Sequence, residues 1–217
     1  KWIPKLTHIE AFRQWALLRI RDMLRGRGLS ANTWNITSRQ IDIRQFQQKY
    51  DIFELATKRN DKIFIVKLNG MKGILSHFTQ PGKMFADEIS DRLKVIACLE
   101  KPNMFHSEMF ESVLSEADNN LICKELQISV NDAYIVFWGP DEDIKTGLET
   151  IEERLKLSFL GVPNETRKSF QDGTTIFERV LPGADRMYPD TDSAPIPLNN
   201  NEIERIGSML PLSIIER

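Results

Sequence analysis

Residues 181–198 read Leu181-Pro-Gly-Ala-Asp-Arg-Met-Tyr-Pro-Asp-Thr-Asp-Ser-Ala-Pro-Ile-Pro-Leu198, and this stretch constrains the chain more than any other. Each proline removes a backbone donor, fixes φ and pushes the preceding residue toward extended geometry, so no helix can run through it. The expectation is a rigid, polar, ordered loop whose order comes from side-chain contacts. Asp185, Asp190 and Asp192 are hard oxygen donors suited to a cation, while Arg186 and nearby Arg179 suit phosphate or carboxylate. The plainer account is that the aspartates satisfy turn backbone groups. Chemistry by itself leaves both open.

Around this loop the chain is ordinary in bulk. At 217 residues with a formal net charge of −2, it fits one large or two small domains and is not a uniformly basic nucleic-acid binder, so any such contact must be local. Cys98 and Cys123 are far apart with no Cys-x-x-Cys, which favours reduced core thiols and a cytoplasmic setting. The sequence contains no run of 18 apolar residues. It starts at Lys1 rather than methionine and keeps helix-like text to Arg217, so a section of a longer polypeptide is expected.

Periodicity predicts the elements. Over residues 9–27, Phe12, Trp15, Ala16, Ile20, Met23 and Leu24 fall on one helical face, with Arg13, Arg21, Asp22 and Arg25 largely outside it. Together with Arg19 and Arg27, these arginines could meet a nucleic-acid backbone, or form an ordinary solvated face. Residues 29–60 read as a loop, a short element and a connector. Residues 63–68 predict a strand, Asn69-Gly70 a tight turn, and residues 73–75 a second strand.

A helix follows Gly82-Lys83, with Met84, Phe85, Ile89, Leu93 and Ile96 inward and Asp87, Glu88, Asp91, Arg92 and Lys94 outward. Residues 105–128 read as helical pieces that Asn119-Asn120 can break, and Ser107 as a helix cap. Residues 133–138 give the strongest strand signal, and a helix is expected over 144–159. Asp172-Gly173 marks a hairpin within residues 163–179, and a last helix starts near residue 201. The sum is an α+β protein, with an antiparallel sheet and its helices on one face.

Common catalytic signatures are absent: the sequence has no G-x-x-x-x-G-K-[ST], G-x-G-x-x-G, H-E-x-x-H or G-x-S-x-G. His8, His77 and His106 stand apart without a second ligand at metal spacing.

The text Asn164-Glu-Thr-Arg-Lys-Ser-Phe-Gln-Asp-Gly-Thr-Thr175, followed by Leu181-Pro-Gly-Ala-Asp-Arg-Met-Tyr-Pro-Asp-Thr-Asp192, resembles the GatB/GatE family of tRNA-dependent amidotransferases, in particular its archaeal-type GatE branch. The two motifs in this order are far more specific than one short pattern. Leu68-Asn-Gly-Met-Lys-Gly-Ile-Leu75, His106-Ser-Glu108 and Trp138-Gly-Pro140 resemble that family's GAD domain, shared with bacterial aspartyl-tRNA synthetases. The resemblance implies three parts: residues 1–60 on the side of a cradle-type α+β domain, 61–160 as the GAD-like insert, and 161–217 returning to the cradle and the start of the following helix.

It also implies a function. The family activates the glutamyl carboxylate of Glu-tRNA(Gln) with ATP and magnesium, and a partner asparaginase-like amidase supplies the ammonia that yields Gln-tRNA(Gln). Carried onto matching positions, Arg167, Arg179 and Arg186 would lie at a phosphate or substrate edge, and Glu165, Asp185, Asp190 and Asp192 would order metal or loop. Set against the family pattern, the N-terminal part of the cradle and the C-terminal helical and tail domains are expected to fall outside these residues, and Glu178 stands where the pattern leads to an apolar residue. The alternative expectation is therefore a non-catalytic module that binds tRNA or a partner.

Overall fold

The computed structural model describes residues 3–181 and 199–210, which fall into two units, residues 1–181 and 182–217. In chain order the first unit runs α1 (Ile3–Gly26), β1 (Ile36–Gln40), α2 (Glu54–Arg59), β2 (Lys62–Leu68), β3 (Phe78–Gln80), β4 (Lys83–Met84), α3 (Phe85–Ile96), β5 (Met104–His106), α4 (Glu116–Glu125), β6 (Ala133–Gly139), α5 (Asp141–Ser158), β7 (Glu165–Ser169) and β8 (Thr175–Val180). The second unit contains α6 (Asn200–Met209), whose first turn is capped by the Asn199 side chain accepting from the Glu202 N–H at 2.7 Å.

A four-stranded antiparallel sheet of order β1-β2-β6-β5 organises the first unit. Every residue of β6 is buried, as expected of a central strand covered on both faces. Alternate side chains divide between two cores. Val66, Leu68, Ile135 and Phe137 pack with α1, α3 and α5 through Leu17, Ile20, Leu24, Ile89, Leu93, Ile151 and Leu155. Ile63, Ile65, Tyr134, Val136 and Trp138 face the other way, against Phe46, Phe53 and Ile122. The α+β class and antiparallel sheet agree with the sequence. The long helices form one layer, and α2, α4 and two 3-10 turns close the opposite face.

Local expectations fail where distant groups decide. Residues 73–75 do not form a strand, because the Gly73 and Ser76 N–H groups donate to the Glu108 carboxylate at 2.5 and 2.9 Å and fix a turn instead. Ser107 caps no helix; its Oγ accepts the Tyr134 N–H at 3.0 Å beside the strand β5. Asn119-Asn120 lies inside α4, which starts at Ser115, whose Oγ accepts from the Asp118 N–H. Cys98 is not a core thiol: with φ of +56° just past α3 it is exposed, and both cysteines are free.

The largest departure is in α1. Phe12 and Trp15 are 43% and 55% exposed, whereas Arg13 is only 2% exposed. Arg13 replaces them inside because it has buried carboxylates to meet. The hairpin β7–β8 falls within the first unit. The same buried charges hold it there.

Candidate functional site

The hairpin carries three of the sequence-nominated residues, Glu165, Arg167 and Arg179. Its strands pair Glu165 with Val180 and Thr166 with Arg179, shift register by a bulge before Arg167, and turn at residues 170–174, with Gly173 at φ +89°. Leu181 N–H donates to the Asn164 carbonyl at 3.2 Å and closes the base just before the proline-rich stretch.

The inner side of the hairpin enters an ionic cluster. Glu165 accepts Arg92 Nη2 of α3 at 2.5 Å and Arg167 Nη1 at 2.5 Å, with Arg13 Nη1 of α1 at 3.7 Å. Glu88 of α3 accepts Arg13 Nη1 at 2.8 Å and Arg154 Nη2 of α5 at 2.5 Å, and Arg167 Nη2 lies at 3.8 Å. Glu10 takes the Arg13 Nε at 3.0 Å. The Arg92 guanidinium also sits 4.4 Å from the centre of the Phe177 ring of β8, and that of Arg154 sits 4.5 Å from the Phe85 ring.

The electrostatics follow from burial and sign. Burial opposes the charge on Glu88, but Arg154, Arg13 and Arg167 outweigh it and hold the carboxyl down to about 2. Burial likewise opposes the charge on Arg13, and Glu88 and Glu10 reverse that, raising it. Arg154, fully buried, is pulled down by desolvation despite Glu88. A second polar clamp adds to the attachment: Gln80 of β3 donates Nε2 to the Thr175 carbonyl at 2.9 Å and accepts the Thr175 N–H at 2.7 Å.

Among the nominated residues, the structure thus brings Glu165 and Arg167 together and turns both inward. Arg179 of β8 is exposed, and among the described residues its carbonyl accepts Thr166 Oγ1 at 3.5 Å. Asp185, Arg186, Asp190 and Asp192 lie outside the described residues. Within the described residues no group of three or more His, Cys, Asp or Glu side chains could hold a metal ion. The cluster is built as a clasp between the hairpin and the helical layer, since its carboxylates are already occupied by guanidinium groups.

Sequence reading passed over Arg13, Glu88, Arg92 and Arg154. The signal was present: Arg13 precedes Ala16, Leu17 and Ile20 by three, four and seven positions, and Glu88 and Arg92 are an i,i+4 pair within the stripe of Phe85, Ile89 and Leu93. A charge on the apolar stripe of a helix points to a buried partner. Two segments distant in sequence also converge on the turn after β2: Glu108 holds the Gly73 turn, and Asp132 accepts the Gly70 N–H at 2.8 Å.

No family model matches the chain. It is 33% identical to the GatE subunit of the glutamyl-tRNA(Gln) amidotransferase of Methanopyrus kandleri, across 99% of this chain and 33% of that protein. Against the same subunit of Methanocaldococcus jannaschii it is 35% identical, and against that of Sulfurisphaera tokodaii 33%, each across 96% of this chain and 33% of the relative. The chain spans about a third of the length of the curated relatives it matches. In sequence it is similar to a section of amidotransferase subunits. More particularly, it is a relative of the GatE subunits of glutamyl-tRNA(Gln) amidotransferases.

Proposed function

We propose that this chain is a section of a tRNA-dependent amidotransferase subunit of the GatE type, which, in its full-length form, activates Glu-tRNA(Gln) with ATP for conversion to Gln-tRNA(Gln). The observation that carries the reading is identity of 32–35% across at least 96% of the chain to GatE subunits of separate archaeal genera. In this reading the section works in the cytoplasm beside an asparaginase-like amidase that supplies ammonia. No helix among the described residues is long and apolar enough to cross a membrane.

The role of the section follows from what its groups are free to do. Glu165 and Arg167 are consumed by the clasp, so they brace the hairpin and do not contact substrate. Arg179 is exposed and available to an anion, and Arg186 is a phosphate ligand of the same kind. ATP and magnesium, when bound, would supply the phosphoryl group and the cation that neutralises it. The described residues offer magnesium no open set of oxygen donors, so Asp185, Asp190 and Asp192 would have to provide it. The described residues contribute a hairpin, ending at Leu181, that is fixed to the helical layer.

The test uses a full-length GatE protein carrying this segment, with its amidase partner. Arg186→Ala and Asp192→Asn should each lower ATP-dependent formation of Gln-tRNA(Gln) by about 100-fold or more, the scale expected when an electrostatic contact to a transferring phosphoryl group is removed. Unchanged amidation in both would sink the assignment. A second reading, a tRNA-binding or partner-binding module without turnover, is favoured by the inward-facing Glu165 and Arg167. Measuring tRNA binding and ATP hydrolysis on this chain separates the two, since binding without hydrolysis supports the module.

A further inference from the structure

Two hollows meet at the turn that follows β2. The first, of about 520 Å³, is lined by Arg27, Leu29, Gly70, Lys72 and Asn131. Its neighbour, of about 240 Å³, shares Lys72 and adds Ser107, Asn119, Ser129, Asp132 and Tyr134 among others. Arg27 is posed at the lip by donating Nη1 to the Gly70 carbonyl at 2.7 Å, and it has no acidic partner among the described residues. Lys72 is exposed, also without an ion pair among the described residues, and its backbone is pinned by its N–H to the Asn131 carbonyl at 3.1 Å. Lys72 also lines the second hollow, where burial pushes the Cys123 thiol up and the Lys72 charge offsets only part of that rise.

Among the described residues the only acid lining either hollow is Asp132, and it is already committed. It accepts the Gly70 and Ser129 N–H groups at 2.8 and 2.9 Å and lies 3.4 Å from Lys67 Nζ. Arg27 and Lys72 therefore face solvent as unneutralised cations, flanked by the neutral donors of Asn131 and Ser129, on a chain whose formal net charge is −2. Another hollow, beside α5, has the opposite character, with Glu149, Glu152 and Glu153 against Lys156. A polyanion is drawn to the first site and repelled from the second.

We infer that the Arg27–Lys72 hollows are a docking surface for the phosphodiester backbone of RNA. Unpaired cations fixed by backbone contacts, with uncharged amide and hydroxyl groups beside them, are what positions a nucleic-acid backbone without reading its sequence. Choosing RNA over an acidic protein rests on the proposed kinship to a tRNA-dependent enzyme. The surface lies on the turn after β2 and shares no lining residue with the hairpin.

The experiment measures binding of a tRNA(Gln) transcript to the 217-residue chain by fluorescence anisotropy between 50 and 200 mM salt. Arg27→Gln with Lys72→Gln should weaken binding about tenfold and reduce the salt slope by about 1 to 2, one phosphate per lost cation. Lys145→Gln with Lys156→Gln on α5 makes the same change in net charge and should leave both nearly unchanged. Lys72→Gln alone breaks no side-chain contact, so it reports even if the double variant is less stable. The inference is overturned if the two double variants behave alike, if the chain does not bind tRNA, or if poly-glutamate binds as tightly with the same dependence on Arg27 and Lys72. None of these results bears on Arg186 and Asp192, so the amidation test stands or falls separately.

Discussion

Arg92 of α3 and Glu165 of the hairpin meet at 2.5 Å with both side chains 1% exposed, so the hairpin is joined to the helical layer by a charge pair that water does not reach. Glu88 repeats the arrangement four residues earlier on α3, between Arg13 and Arg154. Desolvating these groups costs several kcal/mol each, and their mutual attraction offsets it only when the set is complete. Such a cluster fixes one relative position of hairpin and helices more than it adds net stability.

Removing one member should therefore be expensive. Glu165→Gln leaves Arg92 and Arg167 facing each other without their shared carboxylate and should destabilise the chain by about 3 to 5 kcal/mol. Replacing both partners, Arg92→Met with Glu165→Gln, should cost less than the sum of the single changes. Urea unfolding of the four proteins measures the coupling, and strict additivity would show that the pair carries no special energy.

Glu88 gives the chain an acid-sensitive component. Its carboxyl is held at about 2 in the folded state, below the ordinary 4.5, so the unfolded chain binds the proton more readily as pH falls. That stabilisation is complete above pH 4.5 and is lost between there and pH 2, amounting to about 3 kcal/mol at about 1.4 kcal/mol per unit. Glu88→Gln should be less stable at pH 7 and show a flatter decline over this window. Thermal midpoints measured at half-unit steps would show whether its curve stays parallel to the wild type, which would assign the acid loss elsewhere.

How much of this was legible depends on how far away the deciding partner lies. β6 and the hairpin at Asp172-Gly173 were readable because their patterns are local. β1 was not, because Ile36-Thr-Ser-Arg-Gln40 is an edge strand with only Ile36 partly buried, and it carries no alternation. Gly73-Ile-Leu75 read as a strand because Glu108, which claims its N–H groups, is more than thirty residues away. Arg13 was assigned to solvent for the same reason, its partner Glu88 being 75 residues away. At the candidate site, the family resemblance nominated Glu165 and Arg167, but their inward direction is set by the bulge and by partners on distant helices, Arg13 of α1 and Glu88 and Arg92 of α3.

Tyr50 ties the otherwise unpatterned segment before α2 to the sheet's second layer. Its hydroxyl donates to Asp118 Oδ2 at 2.5 Å and accepts the Ser115 N–H at 3.0 Å at the start of α4. Asp118 is 1% exposed and also receives the Gln47 N–H at 2.7 Å. Tyr50→Phe should cost about 1 to 3 kcal/mol by leaving a buried carboxylate short of a donor. Hydrogen exchange should speed up in α4 and at residues 43–58 and leave β2 and β6 unchanged; uniform acceleration would mean the segment is not an independent support.

Gly173 decides how closely the tip of the hairpin approaches α1. It has φ +89°, and a methyl group there would lie 2.9 Å from the backbone carbon of Lys5 and 3.0 Å from the Ile9 side chain. Gly173→Ala thus meets both an unfavourable dihedral and a rigid backbone, and the tip must lift away from the helix. Lifting pulls on the Gln80–Thr175 clamp at 2.7 and 2.9 Å, only two residues beyond the turn. The variant should lose about 2 to 4 kcal/mol, combining the strain with an overpacked contact. Gly173→Asn, which tolerates positive φ better but keeps the steric conflict, should recover only the dihedral share. Full recovery in Gly173→Asn, measured by urea midpoint, would show that α1 does not press on the turn and that the charge clasp alone seats the hairpin.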